Sequence, residues 1–345
     1  MELSLSLRVI VERGALSRLP SVLRSLRPGI VSLFTDDVVW DVVGRDVSQI
    51  LEDEGFEVYT HLVGPSTYSE FERGRGVVRE VEAQVVVGLG GGRVVDAAKY
   101  AAFKEGVKFI SAPTSVSHDG IASPIVSFKG EDGRPISIFT RPPELVIADL
   151  AVISRAPRRL LASGFADIVG KITSTRDALL AYRMGDRVSL YAIELASTAL
   201  RIAVKHADEI ARLTPRGLEA LVMAAITCGI SMIVDGSSRP ASGSEHLFSH
   251  ALDIVYPEKR SLHGEQVGIG TIMMSHLHGL NWRKVRRLLR KVGAPTNAEE
   301  LGVPPEAIVE ALAIAHKVRE RYTILGTRGL SPEAAERLAS KTLVI

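Results

Sequence analysis

The sequence predicts an α/β half built on a mostly parallel sheet, followed by an all-helical half. Three observations predict it. The chain is 345 residues long, about two domains at roughly 100–200 residues each. Residues 1–154 alternate short β-branched runs with helical stretches, the pattern of a parallel sheet covered on both faces. Beyond about residue 157 nearly every segment repeats its apolar residues at helical spacing. The expected division is therefore 1–154 and 155–345.

The elements follow in order. The opening MELSLSLRVIVERG carries Glu2 and Arg8 inside its apolar stretch, so LSLRVIVE (residues 5–12) reads as a strand and not as a signal peptide. GALSRLPSVLRSL reads as a helix, and GIVSLFTDD as a buried strand ending in Asp36 and Asp37. Val38, Val42, Ile50 and Leu51 give residues 37–54 a helical apolar face. The strand FEVYTHLV, a helix through residues 65–82, the strand AQVVVGLG, a helix near 93–105 and the strand VKFISAP follow. IVSF and PISIF flank Gly130 to Gly133, which predicts a β-hairpin, and ELVIAD one more strand. Helical segments are then expected near 157–183, 187–210, 215–235, 243–255, 262–279, 281–292, 304–320 and 331–341. Pro215, Pro257, Pro304 and Pro332 stand at or near segment ends, where proline is tolerated. Ligands of open parallel sheets sit at the carboxyl ends of the strands, so a cleft between the two halves is the expected active site.

Composition narrows the function classes. Hydrophobic residues make up 46% and charged residues 24%, the balance of a folded globular chain and not of a disordered one. No run of 18 or more uncharged apolar residues occurs, so no membrane insertion is expected. The single cysteine, Cys228, forms no internal disulfide and is compatible with a reducing cytoplasm. A net charge of +2 argues against a nucleic-acid partner. The charge is unevenly spread: residues 1–154 carry a net of −5, and residues 155–345 a net of +7 with seven of the nine histidines. A basic, histidine-rich half suits an anionic substrate, and it equally suits solvated arginine-rich helix faces. Two Asn, three Gln and 31 Arg against 11 Lys fit a thermophilic source or a genomic base bias.

The strongest local signal is Gly88-Leu89-Gly90-Gly91-Gly92-Arg93-Val94-Val95-Asp96-Ala97-Ala98-Lys99, between an apolar strand and a helix. Glycines there let a backbone approach a phosphate, and N–H groups at the helix start attract its charge. It is not the usual dinucleotide fingerprint, since Arg93 stands where the last glycine is needed, and no Gly-Lys-Ser/Thr of a Walker loop follows. Ala112-Pro113-Thr114-Ser115-Val116-Ser117-His118-Asp119-Gly120-Ile121-Ala122-Ser123-Pro124 closes the next strand and offers either an ordinary polar loop or cofactor and substrate contacts. In the helical half, Ser242-Gly243-Ser244-Glu245-His246-Leu247-Phe248-Ser249-His250 puts two histidines at i and i+4 on one helix face. Leu262-His263-Gly264-Glu265-Gln266 adds a third. Phe165-Ala166-Asp167-Ile168-Val169-Gly170-Lys171 places an acid in a weakly polar stretch, where an unpaired charge is expensive. One Asp with two His would leave a Zn2+ position open for substrate; scattered structural histidines are the alternative. His61, His206, His276, His278 and His316 are taken as structural.

Together, GLGGGRVVDAAK, APTSVSHDGIASP, the Asp167 segment, SEHLFSH and LHGEQVGIG resemble, in order and over nearly the whole chain, the family of metal-dependent polyol dehydrogenases and dehydroquinate synthases. Within it, SVSHDGIASP and SRPASGSEHLFSHALD resemble the archaeal sn-glycerol-1-phosphate dehydrogenases. The resemblance implies a dehydroquinate synthase-like fold with a Rossmann-like first domain binding NAD or NADP and a helical domain binding metal and substrate. It implies reduction of dihydroxyacetone phosphate to sn-glycerol 1-phosphate, the backbone of archaeal ether lipids. A homo-oligomer, a dimer or an octamer, is implied too. Carried over by motif, the Zn2+ ligands fall on Asp167, His246 and His263. Cofactor contacts fall on Gly90, Gly91, Gly92, Arg93, Val94, Val95 and Asp96, on Thr114, Ser115, Val116 and Ser117, and on Ser123. Substrate contacts fall on Asp119, Asp167 and His250, with His250 and Asp119 as rival proton donors. Asp36, ending an internal strand, would accept from a ribose 2′-hydroxyl, a slight preference for NADH. Lys171 and Ser238 to Ser242 are candidates for the substrate phosphate. The competing readings are glycerol dehydrogenase, dehydroquinate synthase, and a non-catalytic nucleotide-binding protein of the same fold. The second would need more Lys, Arg and Asn groups, yet Asn281 and Asn297 lie far from every motif.

Overall fold

The computed structural model describes residues 7–258 and 261–345; the first two residues of the strand expected at 5–12 lie outside them. The chain divides into two compact units, Met1–Val116 with Gly120–Ala156, and Ser117–Asp119 with Pro157–Ile345. The first is the α/β unit and the second is helical, as the sequence patterning predicts.

The first unit contains strands β1 (Arg8–Glu12), β2 (Ile30–Thr35), β3 (Glu57–Leu62), β4 (Val85–Gly90), β5 (Lys108–Pro113), β6 (Ile125–Lys129), β7 (Pro135–Phe139) and β8 (Leu145–Asp149). Six of them form one sheet in the order β1-β8-β5-β4-β2-β3, parallel throughout, while β6 and β7 form the expected antiparallel hairpin. β4 is buried along its whole length, as central parallel strands are. Its alternating side chains feed opposite cores: Val85, Val87 and Leu89 pack with Leu23, Leu33 and Leu51, and Val86 packs with Phe71, Val95 and Phe109. From β2 the chain runs to the edge strand β3 and then returns to β4 on the other side of β2. That reversal opens a crevice at the carboxyl ends of β2 and β4.

Several helices differ from expectation in detail, among them 187–210, which splits into Leu190–Lys205 and Ala207–Ala211. The stretch 37–54 is interrupted by a wide π-type turn, Trp40–Gly44, in which an added Cβ at Gly44 would stand 2.9 Å from the Trp40 ring. The stretch 157–183 breaks at Gly170 into helices Arg158–Val169 and Lys171–Arg183. A Cβ there would meet Val267 at 2.8 Å and the Asp167 carbonyl oxygen at 2.9 Å. A short helix, Ala298–Leu301, was not anticipated. Asn281 and Asn297 serve as helix caps, accepting from Lys284 N and Glu300 N. Helix Pro215–Asp235 is, among the described residues, long and apolar enough to cross a membrane, but most of it is buried within the helical unit. It packs along Leu190–Lys205 and against the short helix Ala207–Ala211.

That last contact depends on one glycine. A Cβ at Gly217 would lie 2.3 Å from the Glu209 carbonyl carbon, which is backbone and cannot swing aside. Gly217→Ala is expected to lower the stability of the helical unit by about 1–3 kcal/mol, read from the denaturant midpoint at unchanged slope.

Candidate metal centre and nucleotide-binding turn

Three helices of the second unit supply the cluster. Arg158–Val169 carries Asp167, Ser244–Val255 carries His246, and His263–Leu277 begins at His263. One ligand-type atom from each lies within 4.8 Å of the other two. The helices come this close because His263–Leu277 presents glycine at its contacts: a Cβ at Gly264 would stand 2.0 Å from the Ser163 carbonyl oxygen, and one at Gly270 2.8 Å from the Glu245 carbonyl oxygen. Arg159 then ties the first and third helices, donating to both Glu265 oxygens at 2.6 and 2.8 Å, while Glu265 also accepts from Leu262 N.

The hydrogen bonds set both histidines for metal. His246 Nδ1 lies 2.8 Å from Glu245 Oε1, an acceptor, so Nδ1 carries the proton and Nε2 faces Asp167 Oδ1 at 3.4 Å. Ser249 gives its one hydroxyl proton to Gln266 Oε1 at 2.6 Å, so at 3.2 Å it accepts from His263 Nδ1 and leaves Nε2 as the lone-pair nitrogen. Two acceptors facing each other, as His246 Nε2 and Asp167 Oδ1 do, need a proton or a cation between them. The donor set therefore fits a divalent ion. Burial would favour neutral His246, but Asp167 and Glu245 outweigh it and raise its pKa. His263 is pushed down to about 3 by burial and by the charge of His246, against the opposing pull of Asp167.

Behind the cluster lies a buried charge network. Asp167 and Lys171 have no exposed surface. Lys171 Nζ stands 3.0 Å from Asp167 Oδ1 and 3.0 Å from Asp119 Oδ2. Asp119 N donates to Asp167 Oδ2 at 2.9 Å, and Cys228 Sγ donates to Asp119 Oδ2 at 3.1 Å. Burial alone would raise the Asp167 pKa, yet Lys171 and then His246 hold it well below the usual carboxylate range. These bonds count Ser117–Asp119 with the helical unit. Lys171, a sequence candidate for the substrate phosphate, already serves two carboxylates.

His250 completes the group. It is buried, its ring centroid lies 6.0 Å from that of His263, and its Nδ1 has no hydrogen-bond partner. Burial, then Arg319 and the other basic groups around it, push its pKa well below the usual value, so it is neutral at pH 7. His118 lies edge-on to His263. The cluster thus joins Asp119, Asp167, His246, His250 and His263. Glu245, Ser249, Cys228 and His118 were not singled out by the sequence. Glu245 had a readable signal, an acid directly before a candidate ligand; the others had none.

In the first unit, the glycine run divides its duties. None of Gly88, Gly90, Gly91 and Gly92 has a positive φ. A Cβ at Gly88 would meet Ala98 at 2.9 Å and one at Gly90 would meet Val94 at 2.5 Å, so these two glycines serve helix packing on β4. Gly91 caps helix Gly92–Glu105 without a side chain, and its surroundings are open apart from Ser115 Oγ at 3.4 Å. That hydroxyl is buried and lacks a hydrogen-bond partner, which suits an anion held at the helix start. Thr114 N donates to the Gly90 carbonyl. Arg93 reaches Asp36 at 3.3 Å across the crevice, and Asp36 also caps the following helix through Val39 N. Val94, Val95 and Val116 are buried, and only their backbone is available to a ligand. Asp96 is turned inward, bonding Ser127 N and Lys99, while Lys99 Nζ holds the carbonyls of Gly120 and Ile125 at 2.8 Å. Ser123 Oγ approaches Ile125 N at 3.4 Å, and the Ser117 carbonyl accepts from Ser163.

A parallel sheet with this turn and a helical Asp–His–His cluster define a class, and residues 10–157 match the family profile described as iron-containing alcohol dehydrogenase. Over 343 residues the chain is 53% identical to the glycerol-1-phosphate dehydrogenase (NAD(P)+) of Thermofilum pendens, covering 99% of this chain and 98% of that one. It is 48% identical to the protein of the same description from Pyrococcus furiosus, over 88% of each. The solved structure of glycerol dehydrogenase from Schizosaccharomyces pombe shares the fold, with a TM-score of 0.78, 21% identity, and coverage of 99% of this chain and 90% of that one. The chain belongs to the glycerol-1-phosphate dehydrogenase family, a family of oxidoreductases.

Lys171→Met removes the cation between two buried carboxylates. It is expected to destabilise the helical unit by about 3–5 kcal/mol, measured by denaturant unfolding.

Proposed function

We propose that this chain reduces dihydroxyacetone phosphate to sn-glycerol 1-phosphate in the cytoplasm, with NADH or NADPH and a Zn2+ ion held by Asp167, His246 and His263. The observation that supports the reading is that cluster, with both histidine Nδ1 protons committed elsewhere and both Nε2 atoms left as lone-pair nitrogens. Zinc there would supply a Lewis acid for the substrate carbonyl. The nicotinamide would supply the hydride. Its pyrophosphate suits the open turn at Gly91 and the unpartnered Ser115 hydroxyl. The pair Asp36 and Arg93 offers an acceptor for a 2′-hydroxyl and a cation for a 2′-phosphate, which supports use of either cofactor.

The chain's own groups divide the remaining work. Glu245 and Ser249 fix the ring orientation of the two histidines. Lys171 and Cys228 hold the Asp119 side chain beside the cluster. His250, neutral and with Nδ1 unsatisfied, would give its Nδ1 proton to the product oxygen while its Nε2 takes a proton from solvent. Family membership supports the substrate, since relatives at 48–53% identity carry the glycerol-1-phosphate name.

Oxidation of NADH and NADPH should be followed with dihydroxyacetone phosphate, dihydroxyacetone and, in reverse, glycerol. The phosphorylated substrate is expected to lead by about 10²–10⁴ in kcat/KM. Chelation should abolish turnover and Zn2+ restore it. Comparable kcat/KM for the phosphorylated and free ketone, or an sn-glycerol 3-phosphate product, would overturn the reading. Glu245→Ala is expected to weaken zinc binding by about 10–100-fold, measured by competition with a chromophoric chelator.

A further inference from the structure

A phosphorylated substrate needs cationic partners, and the two suggested by the sequence are engaged. Lys171 serves Asp119 and Asp167, and Arg239 serves Asp186 and the Tyr322 carbonyl. Another pair follows the helix and turn that pack on the helix carrying His250. Helix Pro305–Ile314 and the turn Ala315–Lys317 pack against helix Ser244–Val255, and the chain then reaches Arg319 and Arg321. Arg321 Nη2 donates to Ser238 Oγ at 2.7 Å and Nη1 donates to the Ser242 carbonyl, just before the helix that carries His246 and His250. Both partners are neutral, and among the described residues no ion pair engages the Arg321 guanidinium. Of the five N–H donors of a guanidinium, these bonds take two.

Burial and then repulsion from Arg319 and Arg239 push the Arg321 pKa down to about 10, against the opposing pull of Glu245 and Asp177. Arg319 is depressed by burial, and both arginines act on the His250 imidazole. The buried Nδ1 of His250, with no hydrogen-bond partner, is a second and independent sign that a ligand atom belongs there. Resting on the substrate reading above, we propose that Arg319 and Arg321 form the phosphate subsite, with Ser238 fixing the Arg321 fork and His250 Nδ1 facing the adjoining substrate oxygen. A guanidinium held by neutral acceptors keeps its charge for a phosphate and meets it with paired donors, which an ammonium already between two carboxylates cannot do.

The test reads the ratio of kcat/KM for dihydroxyacetone phosphate to that for dihydroxyacetone. Arg321→Gln and Arg319→Gln should each lower it by about 10–10²-fold, and Arg321→Lys should fall between Arg321→Gln and wild type. Crystals of the wild-type protein soaked in tungstate should show the anion against both guanidiniums, a readout that needs no variant to fold. A wild-type preference for the phosphorylated ketone that survives both substitutions would overturn this inference alone. Tungstate bound elsewhere, or not at all, would overturn it as well. No preference in the wild type would overturn the function reading itself.

Discussion

Asp167 is a carboxylate with no exposed surface, and most of the helical unit's functional geometry follows from the need to compensate it. An isolated buried carboxylate costs many kcal/mol, so partners must be brought to it. Lys171 comes from one turn further along. The break at Gly170 does not spoil this, because Gly170 keeps near-helical angles of −50° and −26° and so preserves the i,i+4 relation. The Asp119 N–H supplies a second partner and His246 a third. Lys171, itself buried, in turn demands a second carboxylate, which Asp119 provides. One charge therefore pins residues 119, 167, 171 and 246 together.

Close approach is the second requirement, and glycine meets it in both units. Gly264 and Gly270 let helix His263–Leu277 touch the backbones of its two ligand-bearing neighbours. Gly88 and Gly90 do the same for helix Gly92–Glu105 on β4. A run of glycines is thus ambiguous when read as a string. In Gly88 to Gly92 the packing positions and the open position differ only in what stands opposite, and nothing in the local sequence records that.

Legibility in the sequence follows the range of the interaction. The sheet and helices were readable because parallel strands are near-continuous apolar runs, as in VVVGLG, and helices repeat at 3.6. Asp167, His246 and His263 were singled out as a set by the family motifs, since their spacing alone left structural histidines as the alternative. The break at Gly170 and the wide turn at Trp40–Gly44 were not readable, because each depends on a side chain packed from elsewhere or on an extra backbone residue. Cys228 reaches Asp119 across 109 positions of sequence, and Asp177 collects Ser244, His278 and Ile324 from three separate segments. Such partners leave no periodic trace. His278, taken as structural, holds that Asp177 contact at 3.0 Å.

The charge asymmetry of the chain illustrates the same limit. A net of +7 over residues 155–345 says that cations are in excess, but not which of them keep a field to offer. Lys291 is paired with Asp208, Arg239 with Asp186, and Lys171 with two acids. What decides availability is the chemistry of the partner. A carboxylate cancels a cation's charge at short range, whereas a carbonyl or hydroxyl orients a guanidinium and leaves its charge in place. Arg321 is held in the second way, by the Ser242 carbonyl and the Ser238 hydroxyl, whereas Lys171 is held in the first, between two carboxylates.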